Sequence, residues 1–98
     1  MSVIDEIAAE RKRQVEGEGF ASTHDDRHRN DEMVKAAVCY ALGMTYEFGN
    51  WGASLWPRSW DLRWWKPTTR RRDLIKAGAL IVAEIERLDR LASERGKG

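Results

Sequence analysis

The chain has 98 residues, of which 34% are charged and 42% hydrophobic, and its formal net charge is +1. This length allows one domain, residues 1–98, because two cores would each be too small to offset chain entropy, and the balanced charge argues against a general polyanion binder. The single cysteine, Cys39, and the absence of an apolar run of roughly 18–20 residues predict a cytoplasmic protein without disulfides or membrane spans.

The first predicted helix covers about residues 3–17. Ser2 and Asp5 stand three positions apart, a spacing typical of a capping arrangement at a helix start. Ile4, Ile7 and Val15 share one face with Ala8 and Arg11, whereas Glu6 and Glu10 are expected to turn mostly outward. Because this apolar stripe is thin, we expect the helix to lie on a neighbour rather than at the centre.

The second predicted helix covers about residues 31–44, after a polar loop over residues 20–30. Asn30 or Asp31 is expected to cap it, because short polar side chains accept hydrogen bonds from the first free backbone N–H groups. Beyond Lys35 almost no polar face remains, and a helix that is apolar nearly all round is buried on most sides. We therefore expect this helix to be the central one, with Cys39 as a small core residue.

Residues 45–67 are expected to form a structured Trp-rich loop between the second and third helices. All five tryptophans of the chain, from Trp51 to Trp65, fall in this segment together with Pro57 and Pro67. No helical or alternating period persists, which predicts a compact loop with one short turn around residues 59–64. A loop of this length in a small domain is usually functional, unless its assignment as a loop is wrong.

The third predicted helix begins at Thr68 or Thr69 and continues to about residue 95. Leu74, Ile81 and Leu88 mark one apolar stripe, which a second stripe widens. The expected solvent-facing side carries Glu84, Glu86, Arg87, Asp89 and Arg90. Gly78 is expected to allow close approach of another backbone. The two apolar stripes together form more apolar surface than the first two helices can bury. The sequence therefore predicts a homo-oligomer that forms through the third helix and buries the remainder. The fold class is therefore all-α, a three-helix bundle with a Trp-rich loop.

Several motifs resemble small proteins of tailed phages and prophages. The resemblance covers nearly the whole chain and rests on Glu10-Arg11-x-Arg13-Gln14, Glu18-Gly19, His24-Asp25-Asp26, Ala37-x-Cys39-Tyr40-Ala41, Trp56-Pro57, Trp64-Trp65-Lys66-Pro67 and Arg71-Arg72-Asp73-Leu74-Ile75-Lys76-Ala77. It implies a phage protein acting in the host cytoplasm, with a role in countering host defences. It carries over no catalytic residue, and by analogy proteins of this kind are more often binders than enzymes.

The main candidate site is the Trp-rich loop where it runs into the third helix. Residues 57–76 hold seven bases and two acids, whereas residues 1–32 hold nine acids and five bases. Indole rings can stack on bases or serve as protein hot spots, and guanidinium groups bind phosphate or carboxylate. The predicted binding residues for a host protein or a phosphate-bearing nucleotide-type signal, with no cofactor, are Trp56, Trp60, Trp64, Trp65, Lys66, Arg70, Arg71, Arg72 and Lys76.

This hypothesis requires indole rings that face solvent beside the arginines. The structural alternative is that the tryptophans form a satellite core under the loop while Arg70, Arg71 and Arg72 pair with acids of residues 1–32. In that case the surface would be scaffolding rather than a binding site.

A second hypothesis is a small metal-dependent nucleotide hydrolase that uses the His-Asp-Asp loop. His24, Asp25, Asp26 and His28 could ligate a divalent metal, with Glu10 assisting, but their spacing matches no zinc signature, and a structural role or charge pairing with the arginines is the favoured explanation. Glu6 and Glu10 are similar to the acidic pair of all-helical nucleotide pyrophosphatases, but no second pair faces them, and we expect solvated surface there. No catalytic residue is assigned.

Overall fold

The computed structural model describes residues 2–17, 31–43, 56–57, 60 and 62–96. Over these residues the chain is all-α, with helices α1 (Val3–Gly17), α2 (Glu32–Leu42) and α3 (Arg70–Gly96) and a short 3₁₀ helix (Leu62–Trp64). This confirms the predicted fold class and comes within a few residues of the predicted helix bounds. No helix in the described part of the chain is long and apolar enough to cross a membrane.

The helix starts follow from short polar side chains. The Ser2 hydroxyl accepts a hydrogen bond from the Asp5 N–H at 3.1 Å, and the Asp5 carboxylate accepts one from the Ser2 N–H at 3.2 Å, as predicted. At α3, Thr69 Oγ1 accepts the Arg72 N–H at 3.1 Å. Asp31 precedes α2 in the left-handed region, with φ 62°, and its side chain makes no capping hydrogen bond, so the predicted cap by Asp31 is wrong, while the alternative Asn30 lies outside the described residues.

Helix α3, not α2, is the central helix, because α1 and α2 both pack against it. With 27 residues it is long enough to contact both neighbours, whereas α2 has 11. One side of α2 is buried, but Val34, Val38 and Leu42 remain 36–44% exposed, so its apolar character did not make it central. The core joins α2, α3 and the Trp-rich segment through Met33, Ala36, Ala37, Cys39, Tyr40, Trp56, Trp60, Ala77, Leu80 and Ala83.

Two predictions about α3 need correction. A Cβ atom at Gly78 would lie 3.1 Å from Ile7 Cδ1, so the close approach is made by a side chain of α1 and not by another backbone. Glu84 and Arg87, which were predicted on the solvent-facing side of the helix, are buried. They can be buried because Arg87 Nε and Nη2 both donate to the Glu84 carboxylate one helical turn away, which satisfies each charge within the helix.

Candidate binding site

The Trp-rich segment packs its rings against α2 and against each other. Trp56 and Trp60 are each only 5% exposed. Their ring centroids lie 5.6 Å apart at an interplanar angle of 82°, and the Trp56 ring also meets the edge of Tyr40 at 6.2 Å. Such edge-to-face pairs are the favoured arrangement of aromatic quadrupoles. The hypothesis of outward-facing rings therefore fails for Trp56 and Trp60, which serve as core.

Trp64 and Trp65 differ from these two rings, because each is half-buried and packs on the core from its outer side. The Trp65 ring lies 4.7 Å from Tyr40 and 5.5 Å from Trp56, and the Trp64 ring lies 5.5 Å from Trp60. These two indoles keep part of their surface in contact with solvent, as the binding hypothesis requires. The fifth tryptophan, Trp51, lies outside the described residues.

The Tyr40 hydroxyl ties the Trp-rich segment to α2. It donates a hydrogen bond to the Trp64 carbonyl oxygen at 2.9 Å and accepts one from the Lys66 N–H at 3.0 Å. One side chain of α2 thus provides hydrogen-bond partners for two backbone groups of the Trp-rich segment. The orientation of Trp64 and Trp65 therefore depends on this hydroxyl.

Replacing Tyr40 with phenylalanine is expected to cost about 1–3 kcal/mol of unfolding free energy, because it leaves two backbone groups without their partner while the ring stays in place. Urea unfolding followed by circular dichroism measures the loss, and tryptophan fluorescence should report greater solvent exposure of the segment. A loss below about 0.5 kcal/mol, which is typical of neutral surface changes, would contradict the anchoring role.

Two of the three arginines at the start of α3 pair with acids of α1. Arg71 Nη1 and Nη2 donate to the two Glu6 carboxylate oxygens at 2.8 and 2.6 Å, and Arg72 donates to Glu10. The hydrogen bond from Arg71 lowers the pKa of Glu6 and, reciprocally, raises the pKa of Arg71. The structural alternative is correct for this pair of arginines. Arg70 is exposed and donates instead to the Ala41 carbonyl oxygen at the end of α2.

Glu10 lies at the centre of a buried polar cluster that the sequence pattern did not predict. It is 1% exposed, whereas we expected it on solvated surface, and Gln14 one turn later is 3% exposed. Arg13 donates to both Glu10 carboxylate oxygens at 2.7 Å, and Gln14 Nε2 donates to one of them at 3.2 Å. Burial raises the pKa of Glu10, but the Arg13 hydrogen bond and the charges of Arg13 and Arg72 outweigh it, so the pKa lies below its usual value.

Lys76, predicted on the binding surface, is buried beside the same cluster. Its Nζ donates to the Lys66 carbonyl oxygen at 2.5 Å and lies 5.5 Å from the centroid of the Tyr40 ring. Burial lowers the pKa of Lys76. The amine therefore holds the end of the Trp-rich segment against α3 and is not available to an external ligand.

A small cavity of about 10 Å³ lies between this cluster and the indoles. One water molecule fills such a volume, and a nucleotide base does not. The buried Oε1 of Gln14 accepts no hydrogen bond from the described part of the protein and belongs to a residue that lines the cavity. The lining joins all three helices and the Trp-rich segment: Glu10, Arg13, Gln14, Tyr40, Trp56, Trp60, Trp64, Lys76 and Leu80.

The residues predicted for metal chemistry cannot be compared with one another in this structure. His24, Asp25, Asp26 and His28 lie outside the described residues, and the described part of the chain holds no cluster of three metal-ligating side chains. The carboxylates of Glu6 and Glu10 are occupied by arginines. Cys39 is buried, and burial raises the pKa of its thiol to about 11, as expected for a core residue rather than a nucleophile.

The remaining candidate surface is formed by the two half-buried indoles and their exposed basic neighbours. Arg63 and Lys66, which flank Trp64 and Trp65 in the chain, and Arg70 at the start of α3 are all exposed. We call these five residues the Trp64–Arg70 face. Asp73, the nearest acid on α3, is buried and accepts the Thr68 N–H at 2.7 Å, so it does not present its charge on this face.

Comparison with protein families, with curated proteins and with solved structures finds no match to this chain.

Proposed function

We propose that the chain is a non-enzymatic accessory protein of a tailed phage or prophage, and that its Trp64–Arg70 face engages an acidic surface of a host protein. One observation carries the proposal: Trp64 and Trp65 are half-buried on a buried aromatic base, and the residues that flank them in the chain, Arg63 and Lys66, are exposed and cationic.

The first support is that the indoles are fixed before any partner arrives. Their rings pack on Tyr40, Trp56 and Trp60, and the backbone between them is held by the Tyr40 hydroxyl. Ordering a free side chain on association costs about 0.5–1.5 kcal/mol, and this cost is largely met in advance. Trp and Arg are also the residue types most often found at binding hot spots.

The second support is the charge of the face. Arg71 and Arg72 are compensated by Glu6 and Glu10, whereas Arg63, Lys66 and Arg70 contribute three exposed cationic side chains to the face. A face of this kind attracts carboxylates, and electrostatic complementarity chiefly increases the association rate and the specificity. The partner is therefore a protein with an acidic patch.

A protein partner is favoured over a nucleotide signal by the same geometry. Trp56 and Trp60 have no face left for a base, and the adjacent cavity of about 10 Å³ does not admit one. Phosphate binding at Arg71 or Arg72 would have to displace Glu6 or Glu10. The resemblance to phage proteins makes a host protein the natural partner, and a component of a host defence complex fits the role in countering defences.

The test is a charge reversal of the face. The double variant Arg63→Glu/Lys66→Glu should weaken binding to the host protein captured by the wild type at least about tenfold, since two attractive contacts become repulsive. Isothermal titration with the purified partner, repeated at low and high salt, measures the effect. The affinity of the wild type should fall as the salt concentration rises.

The matched control is Lys12→Glu/Lys35→Glu, which changes the net charge equally at exposed positions of α1 and α2. It should leave affinity within about twofold, a difference of roughly 0.4 kcal/mol. Equal weakening by both variants, or no protein captured above background, would refute the proposal. Thermal stabilisation by a nucleotide that is lost in Arg71→Ala/Arg72→Ala would replace it with the nucleotide alternative.

A further inference from the structure

Helix α3 has a second apolar face that nothing in the described structure covers. Leu74, Ile81, Ile85 and Leu88 are 44–52% exposed, although each is a large aliphatic residue. Their spacings of seven, four and three residues place them in one row along the helix. The opposite side of α3 carries Leu80 and Ala83 in the core. A continuous row of this kind is typical of a helix that packs against a further helix.

An apolar groove between α1 and α3 lies beside this row. It is lined by Ile4, Ile7, Ala8, Gly78 and Val82, with Arg11 and Glu86 at its margin, and encloses about 370 Å³. Gly78 stands four residues after Leu74 and three before Ile81, so the groove opens at the middle of the row. Ile4, which is 74% exposed, forms the outer wall. The groove is large enough to receive aliphatic side chains from a second helix.

We infer that the occupant of this face is a second copy of the chain, with the two α3 helices antiparallel and the twofold axis near Ile81. This axis sets Leu74 of one protomer against Leu88 of the partner subunit, since both lie seven residues from Ile81. It also carries Ile85 of the partner subunit to the groove at Gly78. The same side chains of both protomers then face each other and become buried, so the row is complementary to itself.

Charge complementarity supports this orientation. Arg70 and Arg71 flank the N-terminal end of the row, and Asp89 flanks its C-terminal end on the same side as Arg71. A parallel pair would place the arginine-rich helix starts of both protomers together and align the two helix dipoles. The antiparallel pair instead opposes the dipoles and places Asp89 of the partner subunit beside Arg71, whose side chain remains 64% exposed although it is paired with Glu6. A second copy thus covers the apolar row and adds a carboxylate beside each Arg71.

The first test is the association state. The contact is one helix and one groove per protomer, a small interface, so we expect a dimer that dissociates at about micromolar concentration, a binding free energy of roughly 8 kcal/mol. Sedimentation velocity over a concentration series measures it. Ile81→Glu should give a monomer whose melting temperature equals that of the wild type measured below its dissociation constant, because Ile81 is exposed within one chain. The control Val38→Glu, on α2, should remain dimeric.

The second test is orientation, by disulfide trapping between variants that each carry one added cysteine. Leu74→Cys and Leu88→Cys proteins are mixed under mild oxidation, and a disulfide requires Cα atoms within about 7 Å. Mixed-partner disulfides should dominate over those between identical variants. The native Cys39 is buried with a pKa of about 11 and does not compete. Disulfides only between identical variants would overturn the antiparallel arrangement, and a wild-type monomer at all concentrations would overturn the dimer.

Discussion

Replacing Glu10 with alanine is expected to lower the free energy of unfolding by about 3 kcal/mol. The carboxylate is 1% exposed and accepts hydrogen bonds from Arg13, Gln14 and Arg72. Its removal leaves two guanidinium groups and an amide without their acceptor and opens space inside the domain. The side chains of Arg13 and Arg72 are 44% and 40% exposed and can partly rehydrate, which keeps the loss at the lower end for a broken buried pair. Urea unfolding followed by circular dichroism measures it.

The pH dependence supplies a second readout for Glu10. Because the folded state lowers the pKa of this carboxyl below 4.5, its stabilising contribution is present above that pH and is lost as the pH falls through the folded value. Glu10→Gln should therefore flatten the acid limb of the stability profile. The control Glu16→Gln, whose side chain is 66% exposed and lies 4.0 Å from Lys12, should change stability by less than about 0.5 kcal/mol. If Glu10→Ala behaved like this control, the buried cluster would not stabilise the fold.

Replacing Trp56 with alanine is expected to cost about 3–5 kcal/mol, the range for deleting a large buried aromatic side chain. Its ring contacts Tyr40, Trp60 and Trp65, so all three aromatic neighbours lose a packing surface at once. The melting temperature of a domain of this size shifts by roughly 4–8 °C per kcal/mol, so the change should exceed 10 °C. Differential scanning calorimetry measures this, and near-ultraviolet circular dichroism should lose most of its aromatic signal.

The matched control for Trp56 is Trp65→Ala. This ring is only half-buried, so the same deletion removes less packing and leaves a space that solvent can enter. A loss clearly smaller than that of Trp56→Ala is expected. If the two variants lost equal stability, the distinction between the buried aromatic base and the partly exposed indoles would not hold, and the binding proposal would lose its support.

Local patterns in the sequence are sufficient to predict where the helices lie. The capping pair Ser2 and Asp5 predicts the start of α1, and the steps of three and four residues predict α3 through its whole length. Both signals depend on neighbours within one or two helical turns, which is the range that sequence spacing describes. The short turn predicted around residues 59–64 corresponds to the 3₁₀ helix at Leu62–Trp64 for the same reason.

The arrangement of the site could not be read from spacing, because it depends on distant partners. The local sequence pattern places Glu10 on the surface, but in the structure Arg72, 62 positions later, donates a hydrogen bond to its carboxylate and helps to bury it. Arg13 and Gln14, at three and four positions from Glu10, are the local signal for a shared polar face. The position of α2 does not follow from its apolar content, because the length of α3 decides which helix contacts both others. The tryptophans have no period, so only their mutual packing separates Trp56 and Trp60 from Trp64 and Trp65.

The two contacts made by α3 differ in chemistry, and this gives the molecule two separable responses to its surroundings. On the α1 side the partly exposed pairs Arg71–Glu6 and Arg11–Glu86 are sensitive to ionic strength, because mobile ions screen charges near the surface. On the α2 side the contact is aromatic and aliphatic, and salt does not weaken it in this way. Concentrated salt should therefore weaken the contact of α1 with α3 more than that of α2, while the buried Glu10 and the packing of Ile7 on Gly78 keep α1 attached. Amide hydrogen exchange in α1 should therefore become faster as the salt concentration rises, whereas exchange in α2 should change less.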